Sequence, residues 1–138
     1  MRTQYPKDAI VALTRHIDGK EDNARLLASA GFAELALIVD AVEGNMEVLE
    51  LLKNRKQLVI AAFLSSFLTD EKNPLVFLFR FNAAHWAATA NAINKDDKAI
   101  HWLYRHNMGH YAELAIAIRN KMAREEGSGF ESLYRAPI

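Results

Sequence analysis

Apolar residues recur along most of the chain at spacings of three and four, which places their side chains on one face of an α-helix. Short polar stretches rich in Gly, Asn and Asp interrupt this pattern and are typical of turns. The alternation predicts a first helix followed by pairs of a shorter and a longer helix. The predicted helices cover residues 7–17, 21–30, 32–43, 46–54, 58–68, 74–81, 83–93, 98–106 and about 110–125.

Two apolar segments carry further expectations. Residues 58–68 are nearly all apolar, and their β-branched residues would also suit a buried strand, but the length of the run favours a helix. Residues 74–81 hold the densest block of large apolar side chains in the chain, with Phe77, Phe79 and Phe81 among them. We therefore expect the centre of the hydrophobic core in this second segment.

Polar residues stand where helix N-caps are expected. Asn82 precedes the helix predicted over residues 83–93, and the pair Asp96-Asp97 precedes the helix predicted over residues 98–106. A capping side chain accepts a hydrogen bond from a backbone N–H of the first turn. Adjacent carboxylates could also bind a metal ion, but capping is much the more frequent role of such a pair.

Pairs of large apolar residues recur at intervals of roughly 25 residues, each near the end of a shorter helix. This period predicts an all-α protein: an α-solenoid of about four short antiparallel helix pairs behind an N-terminal capping helix. Residues 1–126 form a single domain in this interpretation, and residues 127–138 form a tail docked on the last repeat. The recurring pairs are Leu26-Leu27, Leu51-Leu52, Leu78-Phe79 and Trp102-Leu103, and the tetrad Ala33–Ala36 returns as Ala112–Ala115.

Residues 106–114, HNMGHYAEL, resemble the part of an ankyrin repeat where a Gly-His pair turns the chain between two helices. Gly109-His110 matches that turn, and Glu113-Leu114 matches the start of the second helix with a shift of one residue. The Thr-Pro-Leu-His opening and the hairpin finger of ankyrin repeats are absent, and loss of the finger would shorten their period of about 33 residues. The resemblance implies ankyrin-like stacking over residues 21–125, without the fingers through which ankyrin domains often bind proteins. HEAT-type repeats, whose unit is longer, are the alternative.

Composition and charge narrow the classes of function. The 17 basic and 17 acidic residues cancel, so no net field favours binding of nucleic acid or of an anionic membrane. The absence of cysteine excludes disulfides and thiolate metal sites, and it fits a reducing compartment. No secretory signal or membrane-spanning run is evident. We expect a soluble cytoplasmic protein that binds neither nucleic acid nor membrane.

Four of the five histidines lie close together in the sequence, at His85, His101, His106 and His110. Imidazole clusters can bind zinc or transfer protons. No His-Glu-x-x-His pattern is present, however, and a predicted turn separates His106 from His110. We therefore interpret these histidines as structural and predict no metal, no cofactor and no catalytic residue. Candidate contacts with a partner are His85, His101, Arg105 and His106.

The leading hypothesis is a non-enzymatic scaffold or protein-interaction module of stacked helix pairs, which binds another protein or its own copy. The alternative is a metal-dependent hydrolase or a ligand-binding helical protein that uses the histidine cluster. These two classes differ in what the folded chain must bring together. The first needs an exposed surface, whereas the second needs several histidines and a carboxylate around one cavity.

Overall fold

The computed structural model describes residues 3–135, with side chains up to residue 124. Within that range the chain is all-α and contains no strand, which confirms the predicted class and shows that residues 58–68 form a helix. Two helices match the predicted limits, and most other ends move by up to three residues. The helices are α1 Lys7–Ile17, α2 Ala24–Ser29, α3 Ala33–Val42, α4 Glu47–Asn54, α5 Leu58–Leu68, α6 Asn73–Arg80, α7 Ala84–Ile93, α8 Asp97–Arg105 and α9 Gly109–Arg135.

The last helix is longer than predicted. Because α9 continues to Arg135, the link predicted at residues 127–129 lies within a helix. The predicted docking of residues 127–138 depends on side chains outside those that the structure describes. The extent of the single domain, residues 1–126, therefore stays a prediction.

One turn geometry follows the four short helices α2, α4, α6 and α8 and also the long helices α1, α3 and α7. The second residue beyond each short helix has a positive φ, and the N–H of the next residue donates to the carbonyl of a leucine five positions earlier at 2.8 Å in all four of these turns. This is the Schellman arrangement that ends many helices. After the short helices, the left-handed residues are Gly31, Lys56, Asn82 and Asn107, and the leucines are Leu27, Leu52, Leu78 and Leu103.

The four turns correct two local predictions. Asn82 has a φ of 60° and ends α6, so it does not cap α7. In the turn before α9 the left-handed residue is Asn107, whereas Gly109 begins the helix. A Cβ at position 109 would lie 2.7 Å from the Tyr104 ring, so a larger residue there would require this exposed side chain to move. The predicted cap at Asp96 is confirmed, since its side chain accepts from the N–H of Lys98 at 3.1 Å.

The long helices α1, α3, α5, α7 and α9 form a closed series. Each contacts the next one in the chain, and α9 contacts both α1 and α3. Large apolar side chains that are fully buried fill the interior of this series. They include Ile10, Leu13, Leu35, Ile38, Ile60, Phe63, Leu64 and Trp86.

Each short helix packs against the two long helices that flank it in the chain, so α6 contacts α5 and α7, and α8 contacts α7 and α9. Among the described residues, no two short helices contact each other. A leucine at the Schellman position anchors each short helix, and all four leucines are almost completely buried. The remaining faces of the short helices point away from the core.

The expected centre of the core in residues 74–81 is wrong. Leu78 is fully buried, but Val76 and Phe79 on the same helix are 49% and 59% exposed. Leu78 anchors α6, and Phe79 is the next residue, about 100° further round the helix. In the other three apolar pairs the second residue is the buried leucine. The equivalent pair on α6 is therefore Phe77-Leu78, and the predicted pair Leu78-Phe79 is wrong by one residue.

Candidate functional site

Three of the four clustered histidines meet around one small cavity. His85 comes from α7, His106 from the end of α8 and His110 from the first turn of α9. The turn between α8 and α9 and the N-terminal segment close the cavity, whose volume is about 210 Å³. The cavity is lined by Gln4, Tyr5, His85, His106, Asn107, Met108, His110 and Tyr111.

The N-terminal segment binds to α7 at the base of this cavity. The carbonyl oxygen of Thr3 lies 2.7 Å from Nε2 of His85 and accepts from the indole N–H of Trp86 at 3.0 Å. The first distance fits donation from a protonated Nε2, because a carbonyl can only accept. Tyr5 is buried, and its ring packs edge-on against Trp86 with the centroids 5.9 Å apart. No candidate site residue was predicted in this segment, and its one signal in the sequence is the large aromatic residue before Pro6.

Burial determines the charge state of the groups around the cavity. Burial lowers the pKa of His85, the hydrogen bond to Thr3 opposes this shift, and His110 lowers the pKa further. Burial also lowers the pKa of His110, with a further contribution from Lys7, while Glu113 raises it. Burial raises the pKa of Tyr111 to about 12. These directions favour uncharged side chains around the cavity at neutral pH.

The cavity has few of the side chains that a metal centre or an acid–base site requires. None of its lining residues is a carboxylate, and in the described part of the chain no group of three or more His, Cys, Asp or Glu residues is arranged to hold a metal ion. His85 uses Nε2 on Thr3, and Nδ1 of His106 lies 2.8 Å from the carbonyl of Trp102. Of the three histidines that line the cavity, His110 is the one that makes no side-chain hydrogen bond to the described residues.

The other candidate residues lie on α8. His101 and Arg105 are exposed on this helix and do not line the cavity. The exposed residues His101, Arg105 and His106 can meet a partner directly, whereas the 4% exposure of His85 removes it from the surface. The two His-Trp pairs are not equivalent, because His85-Trp86 belongs to a long helix and the other pair to a short one.

A second candidate site lies on the outward faces of α6 and α8. Phe79 and Phe81 are 59% and 46% exposed, and Tyr104 is 51% exposed. Phe79 and Tyr104 hold the same register, because each follows the buried leucine of its own helix. The sequence signal for this site was the recurrence of a buried leucine roughly every 25 residues. The residue after each of these leucines lies about 100° further round the helix and points outward.

Stacked rings extend this surface on both helices. The rings of Phe77 and Phe81 stack with centroids 4.4 Å apart, and those of Trp102 and His106 stack at 4.2 Å. Both pairs have i, i+4 spacing, which brings side chains together on a helix surface. We call the exposed rings of Phe79, Phe81 and Tyr104, which belong to two short helices that do not contact each other in the described part of the chain, the aromatic surface.

No protein-family model, curated protein or solved structure matches the chain. The candidate sites are therefore judged on their geometry. Among the described helices, none combines the length and apolar character that crossing a membrane requires.

The lowered pKa of His85 predicts a loss of stability in acid. The unfolded chain binds a proton at His85 near pH 6.5, whereas the folded chain binds it only at lower pH. The free energy of unfolding should therefore be highest above pH 6.5 and should fall as the pH drops below it. Urea unfolding at pH 7.5, 6.5 and 5.5 measures this dependence.

The substitution His85→Gln should reduce the pH dependence of unfolding between pH 7.5 and 5.5. The matched control is His101→Gln, which removes an exposed histidine from a short helix and should leave the dependence as in the unmodified protein. Loss of the same amount of pH dependence in both variants would contradict the role assigned to His85. Because His110 lies beside His85, His110→Asn is expected to remove a smaller part of the dependence.

Proposed function

We propose that the chain is a non-enzymatic protein-interaction module whose aromatic surface binds another protein. In the proposed architecture four helix pairs stack in the manner of ankyrin repeats without fingers, and α1 lies between the first and last pairs. The observation that carries the proposal is the exposure of Phe79, Phe81 and Tyr104 on helices whose leucines are fully buried. Apolar side chains that are exposed together as a contiguous patch mark sites of interaction.

The chemistry of the aromatic surface supports a protein partner. Aromatic side chains bury a large area at a small cost in conformational entropy, and they are enriched among the residues that dominate binding energy. His101 and Arg105 lie beside Tyr104 on α8 and supply polar groups for the rim of such an interface. The equal numbers of basic and acidic residues favour a protein over nucleic acid or an anionic membrane. A cytoplasmic location belongs to the same proposal.

The second candidate function is binding of a small polar ligand, or metal-dependent hydrolysis, at the histidine cavity. The observation in its favour is the convergence of His85, His106 and His110 on one space. Its volume of about 210 Å³ is below the range of roughly 300–1,000 Å³ common for ligand pockets. Metal analysis of the purified protein separates the candidates, since stoichiometric zinc, iron or manganese that His106→Ala removes would favour the second one.

Replacing Phe79 and Tyr104 with serine should abolish partner binding while the fold is kept. Truncation of a central aromatic contact costs about 2 kcal/mol or more, which is about 30-fold in affinity for each residue. Proteins that copurify with the tagged chain from cells are quantified by mass spectrometry for the unmodified protein and the variant. We expect at least one protein in near-stoichiometric amount with the unmodified chain and its loss with the variant.

The matched control replaces Leu26 and Leu51 with serine, because both are exposed apolar residues on other short helices. This control should retain the partner. The partner could also be another copy of the chain. Sedimentation of both variants at several protein concentrations tests this case. An identical set of copurified proteins and an identical oligomeric state for all three proteins would overturn the proposal.

A further inference from the structure

One seam between long helices differs from the other four. Short helices cover the seams from α1 to α3, α3 to α5, α5 to α7 and α7 to α9, but among the described side chains none covers the seam from α9 to α1. A groove of about 460 Å³ lies along this seam. Its uncharged lining residues are Val11, Thr14, Ile116, Ala117 and Asn120, and its charged lining residues are Arg15, Asp18, Lys20 and Glu113.

The four short helices share a pattern of side chains toward the seams that they cover. The anchoring leucine is preceded four residues earlier by a second buried residue and three residues earlier by an apolar one. Spacings of three and four place these side chains on one face of a helix. The second buried residues are Asn23, Val48, Pro74 and Ala99, and the apolar residues are Ala24, Leu49, Leu75 and Ile100.

The C-terminal sequence carries the buried-face part of this pattern once more, without the left-handed residue: four positions after Leu133 stands Pro137, and proline cannot adopt a positive φ. Leu133 is preceded four residues earlier by Gly129, a small residue comparable to Ala99, and three residues earlier by Phe130. Leu133-Tyr134-Arg135 also repeats Leu103-Tyr104-Arg105 at the end of α8.

We propose that residues 129–135 dock over the seam between α9 and α1 of their own chain as a fifth short helix. In the structure these residues continue α9, so docking requires the helix to break at residues 127–129. Gly127 and Gly129 are the residues at which a break costs least, because glycine weakens a helix interior.

The order of elements favours this occupant over a segment from another protein. Each short helix lies between the long helix before it and the long helix after it in the closed series. A short helix that follows α9 would therefore lie between α9 and α1. The existing connections from a long to a short helix contain three to six residues. Residues 126–128 would supply a connection of three.

The absence of cysteine allows a direct test in the 138-residue chain. Ser132→Cys is combined with Thr14→Cys in one variant and with Ile116→Cys in a second, and both pairs are oxidised at low protein concentration. In a continuous α9, the 16 residues from position 116 to position 132 span about 24 Å. A disulfide requires Cα atoms within about 7 Å.

The expected result is an intramolecular disulfide in at least one of the two variants, seen as faster migration of the monomer in a denaturing gel without reductant. Docking raises the local concentration of the two thiols. The disulfide should therefore form at least about tenfold faster than in the control pair Ser132→Cys with Val76→Cys, which places the second thiol on exposed α6.

Adding Leu133→Asp should abolish this advantage, because the aspartate removes the anchoring side chain. Circular dichroism of the reduced variants verifies that they fold. Equal rates for seam and control pairs would overturn the proposal. A disulfide that joins two chains would also overturn it, because the segment would then occupy the groove of another copy.

Discussion

Replacing Trp86 with alanine is expected to lower the free energy of unfolding by about 3–5 kcal/mol, the usual cost of truncating a large buried aromatic residue. Trp86 is fully buried and packs against four other rings, one of which is the imidazole of His85. Its ring centroid lies 4.7 Å from that of Phe63, 5.1 Å from that of Tyr111 and 5.9 Å from that of Tyr5. The substitution would leave a cavity where α5, α7, α9 and the N-terminal segment meet.

A second part of this loss comes from the indole N–H, which donates to the carbonyl of Thr3. Trp86→Phe should retain most of the packing and lose this hydrogen bond, so its cost should be about 1–2 kcal/mol. Urea unfolding followed by circular dichroism measures all variants. The matched control is Trp102→Ala, a half-buried tryptophan whose loss should cost less. Equal losses for Trp86→Ala and Trp102→Ala would contradict the central position of Trp86.

Local sequence patterns predicted the positions of the described helices but not the C-terminal end of α9. Apolar spacing placed α1 and α5 at their observed limits, and Asp96 was correctly expected to cap α8. These features depend on residues within a few positions of one another. The period of roughly 25 residues appears in the structure as four equivalent turns, each following an anchoring leucine.

The orientation of each helix was harder to predict. Leu78 and Phe79 are both large and apolar, and a shift of one residue rotates a side chain by about 100° round the helix. Alignment of the apolar pairs placed Leu78 first in its pair, whereas the buried leucine is second in the other three. Residues 74–81, which hold the densest block of large apolar side chains, were then wrongly expected at the centre of the core. The buried leucine is identified by the left-handed residue four positions later, which is Asn82 in this helix.

The candidate site depended on contacts between distant parts of the chain. His85 and Thr3 are 82 residues apart, and no local pattern indicates that they meet. The same holds for the convergence of His85 with His106 and His110, because it depends on how α7 packs against α8 and α9. The sequence suggested a cluster of four histidines because they lie close together along the chain. In the folded structure only His85, His106 and His110 line the same cavity.

Replacing Leu78 with alanine is expected to lower the free energy of unfolding by about 2–5 kcal/mol, whereas replacing Phe79 should change it by no more than about 0.5 kcal/mol. Leu78 is fully buried between α5 and α7, and its carbonyl accepts the hydrogen bond that ends α6. Phe79, the larger side chain, is 59% exposed. If side-chain size alone determined the loss of stability, Phe79→Ala would be the more destabilising substitution.

The difference in unfolding free energy between Leu78→Ala and Phe79→Ala tests most directly whether α6 buries Leu78 and directs Phe79 outward, as the proposed aromatic surface requires. Urea unfolding of the two variants at pH 7.5, side by side with the unmodified protein, gives this difference. We expect Leu78→Ala to be the less stable variant by about 2 kcal/mol or more. Equal losses, or a larger loss for Phe79→Ala, would place Phe79 in the core and contradict an outward aromatic surface.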